Sequence, residues 1–318
     1  MKHSILMGLT AGMLGALGLA GCNGGNKSSA AIDTPTSGAI SIGVDETFAP
    51  IIKSEVDTFQ KLYPAAQIRA QYQPERDVMQ AFLDDSIRLA VVSRQLTDAE
   101  KARFKSIQIE PRAIRIGVDG VAIILHPSNP DSLLTTAQLR GIFTGQLKQW
   151  NQLSPGNKQG EITAVFDNNN SSTARFVQDS ITRGTALAKG IFASESNPAL
   201  LDYVASHPNA IGVIGVNWIS DRDDKGVQKL LGRVRVAGIS AKAANSTPDD
   251  YVQPYQAYLA QKTYPLRREL YVISREARAG LGTGFASFVA GNKGQLIMLK
   301  SGLMPATGQV RIIDVKSN

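Results

Sequence analysis

The sequence predicts an α/β protein with mainly parallel sheets and enough chain for two lobes. Three observations carry that expectation. Strand-like runs of alternating or wholly apolar residues keep giving way to amphipathic, helix-period runs from residue 39 onward. Helix-start signals stand directly behind several of those strands. The chain has 318 residues with 43% apolar content, which supports real cores for two domains of ordinary size. No solenoid-type repeat is present.

The elements follow in order. Residues 39–44 alternate apolar and polar positions and read as a strand. Pro50 suits a first helical turn, and residues 51–62 are amphipathic. Residues 66–72 read as a strand, 78–85 as a short helix and 89–92 as a buried strand. Thr97 with Glu100 makes a capping box that opens the next helix. Residues 115–119 and 121–126 form a long apolar strand region interrupted by Gly120. Thr135 with Gln138 repeats the capping-box pattern ahead of a helix over 139–143. Residues 162–166 read as a strand and 174–181 as a helix, with Ser172 or Thr173 as its cap. Later strands are expected at 211–216, 234–239 and 270–273.

The amino terminus suggests export. Lys2 and His3 precede an apolar stretch over residues 5–19, the length of a signal segment and too short and glycine-rich for a good membrane span. It ends in Leu19-Ala20-Gly21-Cys22, which looks like a bacterial lipobox, with cleavage before Cys22 and lipidation of that residue. Residues 1–21 are therefore expected to be a signal peptide and 22–37, rich in Gly, Ser, Asn and Thr, a flexible tether. Cys22 is the only cysteine, which rules out a disulfide within one molecule. The formal charge is +7, and loss of Lys2 with the signal leaves +6. The basic residues are scattered, so we expect a small anion or plain surface solubility rather than nucleic acid.

Ligands of open α/β sheets bind where strands end and helices begin. The loop Asp167-Asn168-Asn169-Asn170-Ser171-Ser172-Thr173 has that position, between a strand and a helix start whose amides are unpaired. Its hydroxyls add donors, and Arg175 lies within the first turn of the helix and could supply a full charge. Taken alone, the loop reads first as an ordinary capped loop, since such caps are common. Asp45-Glu46-Thr47-Phe48 and Ser93-Arg94-Gln95 occupy equivalent places. Pro74-Glu75-Arg76-Asp77 is a weaker fourth. Each has a plainer reading: Thr47 as a helix cap, Arg94 and Arg76 as partners of surface acids. Enzyme signatures are thin. His126 and His207 lack metal-ligand spacing, and there is no Gly-x-Ser-x-Gly elbow. Gly280-Leu281-Gly282-Thr283-Gly284 reads better as a turn than as a nucleotide loop, because no suitable lysine follows. Glu75 and Asp77 read as a charged helix start.

Six sets of segments form a pattern: Thr47-Phe48-Ala49-Pro50, Asp119-Gly120-Val121-Ala122, Ile142-Phe143-Thr144-Gly145 with Trp150-Asn151, and Ala210-Ile211-Gly212-Val213-Ile214-Gly215. Tyr264-Pro265-Leu266 with Leu270-Tyr271, and Gly294-Gln295-Leu296 with Lys300-Ser301-Gly302 and Pro305, complete it. In their order and spacing, from residue 40 to 310, the chain resembles the phosphate-binding lipoprotein component of bacterial ABC transporters. The resemblance implies a two-lobe periplasmic-binding-protein fold, type II-like, with two hinge crossings. Lobe one would hold residues 38–120 and 265–318, and lobe two 121–264. It also implies capture of inorganic phosphate or a related oxyanion by lobe closure, delivery to an ABC permease, a monomeric state, a lipid anchor facing the periplasm or cell exterior, and neither cofactor nor metal nor catalysis. An oxyanion sensor or adaptor and a secreted phosphohydrolase are the alternatives.

Implied ligand residues are Thr47, Phe48, Ser93, Arg94, Asp167, Ser171, Ser172 and Thr173. The chain also departs from the family. Asp167 stands where the third ligand loop usually carries an arginine, and Ser93-Arg94 where the second usually carries Ser-Asp. Cation and carboxylate are thus expected to have exchanged loops, with Arg94 as the bidentate cation and Asp167 accepting the proton of a protonated phosphate.

Overall fold

The computed structural model describes residues 33–221, 225–242 and 246–308. The expected signal peptide, the lipobox with Cys22 and most of the expected tether lie outside the described residues. In chain order come β1 (Gly38–Asp45), α1 (Ala49–Leu62), β2 (Ala66–Gln73), α2 (Glu75–Leu83), β3 (Leu89–Val92), α3 (Asp98–Ser106) and the long β4 (Arg112–Leu125). Then follow β5 (Leu133–Thr135), α4 (Thr136–Phe143), β6 (Thr163–Phe166), α5 (Ser172–Phe176), β7 (Phe192–Ala193), α6 (Asn197–Ser206) and β8 (Ala210–Gly215). The remaining elements are α7 (Lys225–Leu231), β9 (Arg235–Val236), β10 (Gly238–Ser240), α8 (Gln256–Ala260), β11 (Arg267–Ser274), α9 (Leu281–Ala290), α10 (Asn292–Lys300) and β12 (Met304–Pro305).

The main sheet runs β2-β1-β3-β11-β4-β8-β6-β7, with β12 and β9 also paired to β4. Pairing is parallel on the flanks, where β1 lies between β2 and β3 and β6 between β8 and β7. It is antiparallel in the middle, where β11 pairs with β3 and β4, and β8 with β4. The expectation of mainly parallel sheets therefore describes only the flanks. Connectivity explains the rest: β4 carries the chain from one half of the sheet into the other, and β11 carries it back alongside. Gly120 does not interrupt β4. The strand changes partners there instead, with residues 112–120 on β11 and 121–125 on β8. The two halves are the two lobes, lobe one around β1 and lobe two around β6. Leu266 O accepts the Val121 N–H at 2.7 Å, and the Tyr264 hydroxyl donates to Val121 O at 2.7 Å, so the two crossings are tied together.

Each lobe has its own aromatic packing. Phe59 of α1 meets Phe285 edge-on at 5.5 Å and Phe288 at 5.3 Å, sealing α1 against α9. Phe82 and Phe104 pack at 5.3 Å beneath α2 and α3. In lobe two, Phe143 and Phe166 meet at 5.6 Å, and buried Trp150 donates from Nε1 to Asn209 O at 3.0 Å. The strand expected over 234–239 is broken at Ala237, because β9 pairs with β4 and β10 with β5. The helix expected from residue 174 starts at Ser172 and runs on through a π-helical turn, Val177–Ile181. The helix expected from residue 78 starts at Glu75.

The folded body begins before the expected tether boundary. Asp33 is buried and accepts from Arg88 Nη1 at 2.8 Å, from the Leu281 N–H at 2.8 Å, and from Arg278. Burial opposes its ionisation, but the Leu281 amide and the two guanidiniums hold its carboxyl at about 2. Glu276 takes the next amides, Gly282 at 3.1 Å and Thr283 at 2.6 Å. The glycine-rich start of α9 thus spends its anion-attracting amides on two carboxylates of the protein itself.

Candidate functional site

Two strand ends and one crossing strand meet between the lobes. β1 ends in Asp45 and a one-turn helix, Glu46–Phe48. Asp45 Oδ1 accepts the Thr47 N–H at 3.0 Å, and Asp45, Thr47 and Phe48 are all fully buried. Opposite, β6 ends in Phe166 and hands the chain to Asp167 and the loop before α5. Ser171 caps α5, accepting the Ala174 N–H at 3.1 Å. The sequence reading gave that role to Ser172 or Thr173. With Ser171 as the cap, the hydroxyls of Ser172 and Thr173 are free to turn inward.

These hydroxyls meet across the lobes. Thr47 Oγ1 lies 3.2 Å from Ser172 Oγ and donates to Asp167 Oδ2 at 3.4 Å. Thr173 Oγ1 donates to Asp167 Oδ1 at 2.5 Å and lies 2.8 Å from Ser171 Oγ. Asp167 also accepts the Asn168 N–H at 3.0 Å and Asn197 Nδ2 at 3.4 Å. Asn217 Nδ2 donates to Thr47 O at 2.5 Å.

The buried cation at this point is Arg268, from β11. Its Nη1 donates to Ser172 Oγ at 2.9 Å, while Nε at 3.0 Å and Nη2 at 2.9 Å grip Asp119 Oδ2. The guanidinium lies 4.8 Å over the Phe48 ring. It is only 6% exposed. A guanidinium has five N–H groups, so two remain for a ligand after these contacts. Gly215, at the end of β8, makes the approach possible: a Cβ there would stand 2.5 Å from Thr47 Cγ2 and 3.1 Å from Arg268 Nη2.

Ser93 and Arg94 belong to a neighbouring cluster. Ser93 donates to buried Glu75 Oε2 from its amide at 3.0 Å and its hydroxyl at 2.8 Å. Arg175 of α5 crosses from lobe two to the same carboxylate, at 2.5 Å and 3.1 Å, and donates to Ser93 Oγ at 2.9 Å. The Arg76 N–H adds a crossing contact to Asn170 O at 3.4 Å. Arg94 is held in a two-pronged pair with Glu100, at 2.7 Å and 2.8 Å. A cavity of about 370 Å³ lies at this rim, lined by Arg76, Arg94, Asn170, Ser171 and Arg175.

So the structure brings Thr47, Phe48, Asp167, Ser171, Ser172 and Thr173 into one cluster and leaves Ser93 and Arg94 around Glu75. The guanidinium beside the hydroxyls stands on neither of the loops between which an exchange was expected. Sequence reasoning missed Arg268, Asn217 and Asn197, and it named Asp45 only within a candidate loop and Asp119 only within the family resemblance. Arg268 shares a strand face with Leu270 and Val272, and Asp119 sits inside a run buried from residue 116 to 125. Charges at such positions were the available signal.

The electrostatics follow from burial. Burial first, then the charge of Glu75, pushes the Asp45 carboxyl up to about 7. Burial raises Asp119 although Arg268 opposes it. Glu46 is pushed up to about 7 by burial and by Asp167 and Asp77. For Glu75 burial acts upward, but Arg175 and the Ser93 donors outweigh it and hold the carboxyl below its usual range. A buried site with one central guanidinium, several hydroxyls and helix-start amides is suited to a small tetrahedral oxyanion.

A family model described as a PBP superfamily domain matches residues 29–293. The chain is 24% identical over 302 residues to the phosphate-binding protein PstS of Staphylococcus epidermidis, covering 93% of this chain and 87% of that protein. It is 26% identical over 303 residues to phosphate-binding protein PstS of Staphylococcus aureus, covering 93% and 86%. Among solved structures it resembles a putative phosphate ABC transporter substrate-binding protein with bound phosphate from Clostridium perfringens, with a TM-score of 0.71 and 21% identity. That likeness covers 85% of this chain and all of the other.

Proposed function

Because the chain belongs to the PBP superfamily, we propose that it captures inorganic phosphate between its two lobes and delivers it to an ABC permease. The observation that carries the reading is Arg268 beside the hydroxyls of Thr47 and Ser172, with Thr173 one residue on. The names of the staphylococcal relatives support the choice of phosphate among tetrahedral anions. Thr47 and Ser172 hydroxyls stand 3.2 Å apart, so the lobes must part to admit an anion between them. Residues 38–120 with 265–318 would move against 121–264, about the crossings at Gly120 and Tyr264-Pro265.

On closure, the Arg268 N–H groups, the inward hydroxyls and the first amides of α5 would replace the ligand's water shell. Phe48 walls the site and supports the guanidinium. Ser93, with Glu75 and Arg175, would latch the rim, and Arg94 would contribute charge there. No bond is made or broken.

Export would follow from cleavage before Cys22, and lipidation of that residue would hold a monomeric protein on a membrane surface. Among the described residues no helix is long and apolar enough to cross a membrane. Calorimetric titration of the chain from Ser28 onward with phosphate and with sulfate tests the proposal. Saturable binding that favours phosphate is expected. Absence of phosphate binding would overturn it.

A further inference from the structure

Four hydrogen bonds converge on one carboxylate of the protein itself. Glu75, the first residue of α2, is 2% exposed. Its Oε2 accepts the Ser93 N–H at 3.0 Å and the Ser93 hydroxyl at 2.8 Å. Arg175 reaches Oε1 from Nε at 2.5 Å and Oε2 from Nη2 at 3.1 Å. Arg94 Nε adds a second guanidinium charge 3.8 Å from Oε1. An amide, a hydroxyl and a two-pronged guanidinium are the donors with which proteins hold oxyanions. They stand just past the end of β3, and strand ends are where open α/β sheets take their ligands. At this strand end the donors are already taken, and the anion that takes them is a side chain.

The donors come from both halves of the sheet. Ser93 follows β3 in lobe one, as Glu75 does on α2, while Arg175 stands on α5 in lobe two. The pair therefore joins the lobes side chain to side chain. Arg175 also meets Asp179 at 3.2 Å on its own helix, but that partner is exposed and contributes little. The Arg175 and Ser93 donors hold the Glu75 carboxyl below its usual range, so it is charged at neutral pH. The cluster also faces open space: Glu75, Arg94 and Arg175 line the rim cavity of about 370 Å³.

We propose that Glu75 is a resident anion in a second oxyanion cradle, and that it holds the two lobes together independently of any bound ligand. The inference rests on the reading that the lobes part to admit a ligand, and it does not require that ligand to be phosphate. When the lobes part, Glu75 stays with Ser93 on lobe one and Arg175 leaves with α5. Entry of a ligand then has to break this pair first, and closure restores it.

The test is amide hydrogen exchange of the full-length protein in detergent, read at residues 45–48 and 170–174. Thr47 and Ser172 meet there across the lobes at 3.2 Å, and neither bonds to Glu75, so faster exchange at both segments reports parting of the lobes rather than local loss. Glu75→Ala removes one methylene and one carboxyl group, the heavy atoms of acetate. Exchange at both segments should rise about tenfold or more, and millimolar acetate at matched ionic strength should return it toward the wild-type rate. Arg175→Gln should exchange as fast and gain nothing from acetate, because the crossing donor is gone; its side chain is 32% exposed, so it tests the latch even if Glu75→Ala does not fold. Wild-type exchange at these segments in the folded variants overturns the latch. Fast exchange in Glu75→Ala that acetate leaves unchanged overturns the anion cradle. Phosphate titration of the wild type decides the phosphate reading separately, since neither variant result depends on it.

Discussion

Arg268→Gln separates binding from folding, provided Asp119 is changed with it. Arg268 holds Asp119 at 2.9 and 3.0 Å and is 6% exposed, so the single substitution strands a buried carboxylate. Breaking such a pair typically costs about 3–5 kcal/mol of stability. Asp119→Asn alongside Arg268→Gln removes the stranded charge and lets two amides face each other, so most of that loss should return. Phosphate affinity should not return. A hydrogen bond to a charged group contributes about 1.5–3 kcal/mol, which is roughly a 10- to 150-fold rise in Kd. Urea unfolding reads the first quantity and calorimetric titration with phosphate the second. A double variant that unfolds like the wild type and also binds phosphate like the wild type would refute the assignment of Arg268 as the ligand's cation.

Arg94→Ala is the matching control: its guanidinium is committed to Glu100, so phosphate affinity should change by less than about fivefold, the ceiling for a pair worth up to about 1 kcal/mol. A loss as large as that of Arg268→Gln would restore the exchange between loops. Gly215→Ala should abolish phosphate binding while the protein still folds, since its Cβ would meet Thr47 at 2.5 Å; unchanged affinity in a titration would contradict the close approach. Glu55, on the buried face of α1, has neither carboxylate oxygen hydrogen-bonded, and burial pushes its carboxyl up from 4.5 to about 8. The folded state keeps the proton that the unfolded chain gives up, so its contribution is complete below about pH 4.5 and gone by about pH 8. Glu55→Gln should flatten that part of the stability-versus-pH curve in urea unfolding, and an unaltered slope would show that Glu55 does not titrate there.

What could be read from the sequence was whatever is local along the chain. Capping boxes at Thr97 and Thr135 need residues three apart, and both are present. The strand ends that place Thr47 and the 167–173 loop follow from hydrophobic period and turn residues, which a short window contains. The antiparallel centre of the sheet was not legible in this way, because β4 and β11 are separated by well over a hundred residues and only the fold sets them side by side. The break at Ala237 escaped for the same reason, since two different partner strands compete for one short apolar run.

Charge is the harder case, and Arg94 shows why. A sequence reading assigns an arginine to a ligand by its loop, yet what an arginine does depends on which carboxylate the fold brings within reach. Arg94 finds Glu100 six residues away, through the same glutamate that closes the Thr97 capping box, so a helix-start motif claims the charge. Arg268 finds Asp119 at a separation of 149 residues, so no local spacing announces the pair. The departure at Asp167 becomes intelligible only then. Asp167 does not need a cation exchanged onto Arg94, because hydroxyl, amide and carboxamide donors surround it, while β11 brings a guanidinium to the Ser172 hydroxyl from a strand outside all three loops. An arginine fixed on the crossing strand senses the position of both lobes at once: its strand belongs to lobe one and its Ser172 contact to lobe two. On the proposed function, a ligand that draws on its two spare N–H groups would strengthen the bridge between the lobes only when they are closed, and that difference between open and closed states would let binding drive closure.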